Sequence, residues 1–264
     1  MSKRQGSAFA GPSAFLIFTC LLLSAPLLAR ECQSGLTQTN AVASRVVDGD
    51  TLVLNTQQRV RIIGLNTLEM NAGSPQDRYW ASQATKTLND LVTGKPVTLL
   101  AGRDRKDRYG RLLAHVRLPD GVDVAQELIR QGLAIAVGVG KNTACSESNR
   151  VLENQARSQR LGIWKNKGGW WKDSEEKLNA RRGFYLIRSS IVTRTRQGTN
   201  TRLKMANGLQ VKLGAGWPLD ALQTDTLLAG TVNQLVEVRG WISGHLSAPE
   251  ISLHHPANLR IVAR

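Results

Sequence analysis

Three short segments carry acid and guanidinium side chains at spacings that suit phosphate chemistry: Asp48-Gly49-Asp50-Thr51, the run from Arg61 to Asn66-Thr67-Leu68-Glu69, and Asp107-Arg108-Tyr109-Gly110-Arg111. Together they hold oxygen donors for a hard cation, one carboxylate able to take a proton from water, and two guanidinium forks for a phosphate. That is the set a phosphodiester hydrolysis needs. Glu69 is the candidate general base, placed to orient or deprotonate a water. Arg61 and Arg111 stay charged and match phosphate oxygens bidentately, so they can stabilise a five-coordinate transition state. Asp50, at a strand start beside a Gly turn, is the candidate Ca2+ ligand, because calcium takes hard oxygen donors. Each residue also has a plain structural explanation. Asp-Gly is a common turn, a loop glutamate is ordinarily solvated, and an arginine between Val60 and Ile62 can line the open face of a strand.

The elements that must position these groups are short. Val42 to Val47, Thr51 to Leu54 and Arg59 to Leu65 read as strands separated by Asp48-Gly49 and Asn55-Thr56. A helix is expected over Tyr79 to Leu91, where Ala81, Ala84, Leu88 and Leu91 recur at helical spacing before Gly94. Val97 to Leu100 and Leu112 to Leu118 complete five strands, with a basic loop from Asp104 to Arg111 between them. Asp123 as N-cap, Gln126 three positions on and Gly132 beyond the last turn mark a second helix, and a third runs from about Ser148 to Leu161. Pattern alone gives a mostly β, α+β domain over residues 42–164. Five strands with helices packed on them suggest an oligonucleotide-binding-type barrel.

Residues 165–183 read as a linker ending in a short charged helix, Asp173 to Arg182. Residues 184–264 show alternation and almost no helical periodicity, with Asn207-Gly208 as a hairpin turn, so a second all-β and barrel-like domain is expected. Trp170 and Trp171, between Lys167 and Lys172, suit either packing of this segment or stacking of bases, with packing the favoured reading. His245, His254 and His255 could suggest a metal site, but adjacent histidines on a strand face opposite ways and no Cys or acidic partner has ligand spacing, so a polar strand surface is the expectation.

In order and spacing these motifs, with Arg130-Gln131-Gly132-Leu133-Ala134 and Leu161-Gly162-Ile163-Trp164, resemble the staphylococcal nuclease family over residues 42–164. The resemblance implies a five-stranded barrel and calcium-dependent hydrolysis of DNA and RNA with little sequence preference, breaking the bond on the 5′-oxygen side. It implies Asp50, position 66 and the carbonyl of Thr67 as metal ligands, with Asp48 supporting them from outside the coordination sphere. It further implies Glu69, Arg61 and Arg111 as catalytic residues, and Arg108 and Tyr109 as contacts to a terminal phosphate and nucleotide. Two departures stand out. Asn66 occupies a place where the family has Asp, which removes one negative charge from the metal site and weakens calcium binding. Gly138 and Gly140 replace tyrosines that face the base and sugar. A catalytically weakened nucleic-acid-binding protein on the same scaffold is therefore the second reading.

Charge agrees with a polyanionic partner. The chain carries a formal +15, and residues 181–264 alone hold eleven Lys or Arg against four acids. Lys3 and Arg4 precede an apolar run from Phe15 to Leu28, the layout of a secretory signal. Residues 1–29 are thus expected to be a signal peptide or, if uncleaved, an anchor tethering the protein to a membrane through residues 15–28. Residues 30–41 form an N-terminal segment, and a secreted or periplasmic monomer is the expectation. If Cys20 leaves with the signal, Cys32 and Cys145 remain, as a disulfide or as two free thiols.

Overall fold

The computed structural model describes residues 32–262, apart from 34, 73, 199, 214–216 and 246. The expected signal, Cys20 and the apolar run 15–28 lie outside the described residues. Among the described residues no helix is long and apolar enough to cross a membrane.

Five strands close a first barrel in the order β1-β2-β3-β6-β5: β1 (Gln38–Asp48), β2 (Thr51–Leu54), β3 (Arg59–Ile62), β5 (Pro96–Lys106) and β6 (Leu112–Arg117). β1 begins at Gln38, ahead of the expected Val42, because Gln38–Val42 already pair with Pro96–Leu100 of β5 while Ala43–Asp48 pair with β2. Register shifts along the β1–β2 pairing mark bulges, which bend a strand and so let β1 serve both neighbours. Leu52, Val60, Ile62, Val97, Leu99, Ala114 and Val116 fill the interior. β3 and β6 run parallel, and the connection they require carries helix α1 (Pro75–Val92). α1 starts one turn before the expected Tyr79. Ser74 caps it and Pro75 opens it, and its Ala81, Ala84, Leu88 and Val92 face is buried. After Ile62 the chain turns through Gly64 and forms a two-stranded ladder, β4 (Leu65–Asn66) with β7 (Ile135–Ala136). Helices α2 (Val124–Arg130), capped by Asp123, and α3 (Ser146–Ser158) complete this half. α3 ends at Ser158, short of the expected Leu161, where Arg160 adopts a positive φ of 53°.

The second half is also a closed ring, and its strand order repeats the first. β9 (Gly183–Gln197), β10 (Asn200–Met205), β11 (Gln210–Leu213), β13 (Ala248–Leu253) and β12 (Leu235–His245) follow one another, and β12 returns to pair with β9. β11 and β13 run parallel as β3 and β6 do. β14 (Leu259–Ile261) and β8 (Trp171–Asp173) extend its edges. The chain is α+β, two oligonucleotide-binding-type barrels in tandem.

Three local expectations are corrected. No helix spans Asp173 to Arg182. Glu175 there accepts hydrogen bonds from Ser189 and from the amide and hydroxyl of Ser190, and Leu178 is buried in the second core, so tertiary contacts hold the segment extended. Residues 165–183 are also more than a linker: β8 joins the second sheet, and Trp164, Trp170 and Trp171 pack edge-on with the Arg157 guanidinium 4.1 Å over Trp164. A helix not foreseen, α4 (Ala221–Leu227), begins at a reciprocal capping box of Asp220 and Gln223.

Candidate active site

The Asp48–Thr51 turn joins β1 to β2, and the β2–β3 register sets Thr51 opposite Arg61. Arg61 is thereby brought to Asp50: its Nη2 lies 2.9 Å from Asp50 Oδ2 and 3.0 Å from Asn66 Oδ1, while Nη1 donates to the Ile62 carbonyl at 2.8 Å. Gly49 is required at the turn, because a side chain would meet Ala84 of α1 and Thr67 at 2.8 Å. Asp50 is buried and receives weak hydrogen bonds from the amide and hydroxyl of Thr67 at 3.4 and 3.3 Å. Burial, reinforced by Asp48, pushes its carboxyl up to about 6 against the pull of Arg61. A carboxylate so desolvated in the company of a second acid is short of positive charge.

Glu69 sits at the rim of this cleft with access to solvent. Partial desolvation and the charge of Asp48 raise its carboxyl above the ordinary range, while Arg61 and Arg111 pull the other way. Three charges, those of Asp48, Arg61 and Arg111, therefore act on one point. Arg111 reaches the cleft from the loop after β5. Its Nε donates to Asp107 at 2.6 Å and its Nη1 to the Thr51 hydroxyl at 3.2 Å, and Thr51 in turn donates to Asp50 at 3.0 Å. Burial would raise Asp107, but the hydrogen bonds from the Arg111 side chain and from the amides of Arg111 and Tyr109 hold it below its usual range. Tyr109 stands in solvent with the Arg108 guanidinium 4.8 Å and that of Arg111 5.6 Å from its ring centroid.

The structure thus gathers Asp48, Asp50, Arg61, Asn66, Thr67, Glu69 and Arg111 around one cleft, with Arg108 and Tyr109 on its outer loop. Two features were not anticipated. Arg61 is engaged by Asp50 and Asn66 instead of standing open, and the Asn66 amide donates to the Thr67 carbonyl at 2.9 Å. Asp107, four positions before Arg111, holds that arginine, and the four-residue spacing is the signal that could have found it. Among the described residues no three His, Cys, Asp or Glu side chains gather as a metal cage. The oxygens at hand are one buried carboxylate, an amide and a main-chain carbonyl. Cys32 and Cys145 form a disulfide that ties the N-terminal segment to the start of α3.

The second barrel takes part in supporting this site. Arg239 of β12, fully buried, donates to the Ala136 carbonyl at 3.0 Å, and Glu153 of α3 accepts from the Ala136 amide at 2.7 Å. Ala136 pairs with Leu65, the neighbour of Asn66. Asn258 likewise takes both main-chain groups of Gly138, where a side chain would collide with Ser146, Thr143 and His255.

Residues 59–166 match the family profile described as staphylococcal nuclease homologue. An uncharacterized endonuclease of Escherichia coli O157:H7 is 35% identical over 122 residues, which are 46% of this chain and 73% of that protein. The thermonuclease of Staphylococcus hyicus is 32% identical over 126 residues, 46% of this chain and 73% of the relative. Endonuclease YncB of Bacillus subtilis is 32% identical over 134 residues, 49% of this chain and 63% of the relative. With its first barrel, its cleft and these relatives in agreement, the chain belongs to the staphylococcal nuclease family.

Proposed function

We propose that the chain is a calcium-dependent nuclease of the thermonuclease type, hydrolysing phosphodiester bonds of DNA and RNA with little sequence preference. The observation that carries this reading is the meeting of Glu69 with Arg61 and Arg111 over the Asp48–Thr51 turn. The donor set suits a hard cation: Asp50, the Asn66 amide oxygen and the Thr67 carbonyl are all oxygens, and Asp48 and Asp50 together set two carboxylates beside the single guanidinium of Arg61. Those three residues would hold Ca2+, with Asp48 outside them. Bound there, calcium would supply Lewis-acid neutralisation of phosphate charge. Glu69 orients a water and takes its proton as the water oxygen bonds to phosphorus. Its raised pKa makes it the stronger base. The bond to the leaving ester oxygen breaks, and that oxygen takes a proton from solvent. Arg111, fixed by Asp107 and Thr51, and Arg61 bear on the charge that accumulates on the phosphoryl oxygens. Arg108 and Tyr109 contact the flanking phosphate and nucleotide.

Export to the cell exterior or periplasm, as a monomer, belongs to the same proposal. It is supported by the basic and apolar layout of residues 1–29 and by the Cys32–Cys145 disulfide, which suits an oxidising compartment. N-terminal sequencing of the mature protein distinguishes a cleaved signal from a tether through residues 15–28.

Digestion of denatured DNA and of RNA by the purified protein, with Ca2+ and with chelator, is the test. Cleavage is expected with calcium alone, and Glu69→Gln should lower kcat by roughly 10²–10⁴. Turnover that persists in chelator, or that ignores Glu69→Gln, removes the reading.

A further inference from the structure

The sheet face of β12 that binds the first barrel does not end where the contact ends. Arg239, Trp241 and Ser243 point to the same side, as alternate residues of a strand must. Arg239 is buried against α3 and Ala136, yet Trp241 is 41% exposed. An indole left open beside a buried arginine borders a hollow, and here Trp241, Ser243, Ser252 and His254 line it on one side and Val137–Val139 on the other. The ring is held in place by Phe184, which meets it edge-on at 4.9 Å. Phe184 packs in turn on the cluster containing Leu68 and Ile135. Leu68 precedes Glu69, and Ile135 pairs with Asn66. The hollow is therefore joined to the cleft by one short stretch of chain: β7 ends at Ala136 and Gly138 lies two residues beyond, so Ile135 and Gly138 are at most about 10 Å apart at ~3.3 Å per residue. Positive charge lies beside the strand that carries Trp241. Gly183 pairs with Ile242, and the two residues before Gly183, Arg181 and Arg182, are exposed with no ion pair among the described residues.

We propose that this hollow is a substrate subsite built by the second barrel, in which an unpaired base of the polynucleotide stacks on Trp241 while Arg181 and Arg182 take its phosphates. The inference rests on the nuclease reading for the identity of the ligand. Stacking requires a base released from its partner strand, and aromatic platforms beside cations bind single strands without regard to sequence. A separation of this size is short enough for one strand, in a site of the ~4–16 nucleotides that grooves of this barrel type accommodate, to occupy cleft and hollow together. Asn258, by fixing both main-chain groups of Gly138, shapes the opposite wall.

The experiment uses the full chain and two readouts. Binding of a fluorescent single-stranded 12-mer is measured by anisotropy in chelator, beside the same sequence as a duplex. Steady-state kinetics in Ca2+ then compare the 12-mer with a dinucleotide. Trp241→Ala is expected to weaken 12-mer binding about tenfold and to raise its KM by a similar factor. kcat should move less than twofold, and the dinucleotide should gain no comparable penalty. Trp241→Phe keeps most of the affinity, whereas Trp241→Leu, which preserves apolar contact with Phe184 without an aromatic face, behaves as the alanine variant. Arg181→Ala with Arg182→Ala weakens binding and flattens its salt dependence. Equal 12-mer binding by wild type and Trp241→Ala, or equal losses for 12-mer and duplex, overturns the subsite. Absence of turnover by the wild type would instead strike the nuclease reading, and the chelator arm would still decide the subsite.

Discussion

Asn66 holds its amide in two directions, accepting from Arg61 through Oδ1 and donating to the Thr67 carbonyl through Nδ2. An aspartate at this position cannot donate, so it would leave the carbonyl free and add a negative charge beside Asp50. Calcium affinity follows the charge of its ligands. Asn66→Asp is therefore expected to lower the calcium concentration giving half-maximal activity about tenfold, read by a metal titration of the initial rate. The arginines are held differently. Asp107→Ala removes two hydrogen bonds to the Arg111 residue, at Nε and at the main-chain amide, and leaves only the Thr51 hydroxyl to fix the guanidinium. A fall of about tenfold in kcat/KM is expected, with the fold unchanged by circular dichroism, since a mobile arginine stabilises a transition state less well than a fixed one. At this scale the sequence revealed the kinds of group present. It could not reveal that Arg61 would lean on Asp50, because that contact is made by the pairing of Thr51 with Arg61 across two strands.

Elements were legible where a local signal agreed with the tertiary fold. Asp123 and Gln126 announced α2, and Ala81, Ala84 and Leu88 announced α1, because capping and helical spacing are read from neighbouring residues. The capping box of α4 is equally local, but seven residues with only Thr224 buried show no periodicity to accompany it. The opposite error came from Glu175, Glu176 and Lys177. These residues favour helix, but Ser189 and Ser190, distant in sequence, engage Glu175. The strand order of the second barrel was likewise hidden, since parallel pairing of β11 with β13 joins segments that no turn connects. One junction shows how tightly elements constrain residues. Gly132, after α2, and Gly162, after α3, cross in contact, with positive φ values of 70° and 52°, and Ile163 donates to the Gly132 carbonyl at 2.9 Å. A Cβ on Gly162 would strike that carbonyl. Gly162→Ala should destabilise by more than about 1 kcal/mol, since both the conformation and the space are denied to it. Chemical denaturation of the variant measures this, and stability equal to wild type would mean that the crossing relaxes freely.

At the scale of the whole molecule, the two barrels are joined by charges that neither could bury alone. Arg157 and Glu153 of α3 meet Glu237 and Arg239 of β12: Arg157 grips both oxygens of Glu237 at 2.8 and 2.9 Å, and Arg239 lies 2.9 Å from Glu237 and 2.6 Å from Glu153. Breaking one member of such a buried set leaves its partners uncompensated, a cost of about 3–5 kcal/mol. Because Arg239 also holds Ala136 beside the ladder that carries Asn66, the join bears on the active site as well as on stability. Its pH dependence has a definite sign. Burial would raise the Glu237 carboxyl, but the hydrogen bonds and charge of Arg157, with the charges of Arg239 and Arg260, hold it below its ordinary value of 4.5. A carboxyl depressed on folding contributes stability that is complete above its unfolded pKa and is lost as pH falls through the folded one. Glu153 faces the same arginines, and Arg150 adds positive charge beside Arg239, so loss of the Glu237 charge would leave a net positive cluster in the interface. Glu237→Gln should therefore be several kcal/mol less stable than wild type at pH 7, and the gap should begin to narrow below pH 4.5, where the unfolded wild-type carboxyl gains its proton, and close as pH falls through the lower folded-state pKa, the glutamine having no proton to gain. Denaturant unfolding of the pair at pH 7, 5 and 3.5 reads this directly. A gap of constant size across that range would mean that the Glu237 charge does not fasten the second barrel to the first.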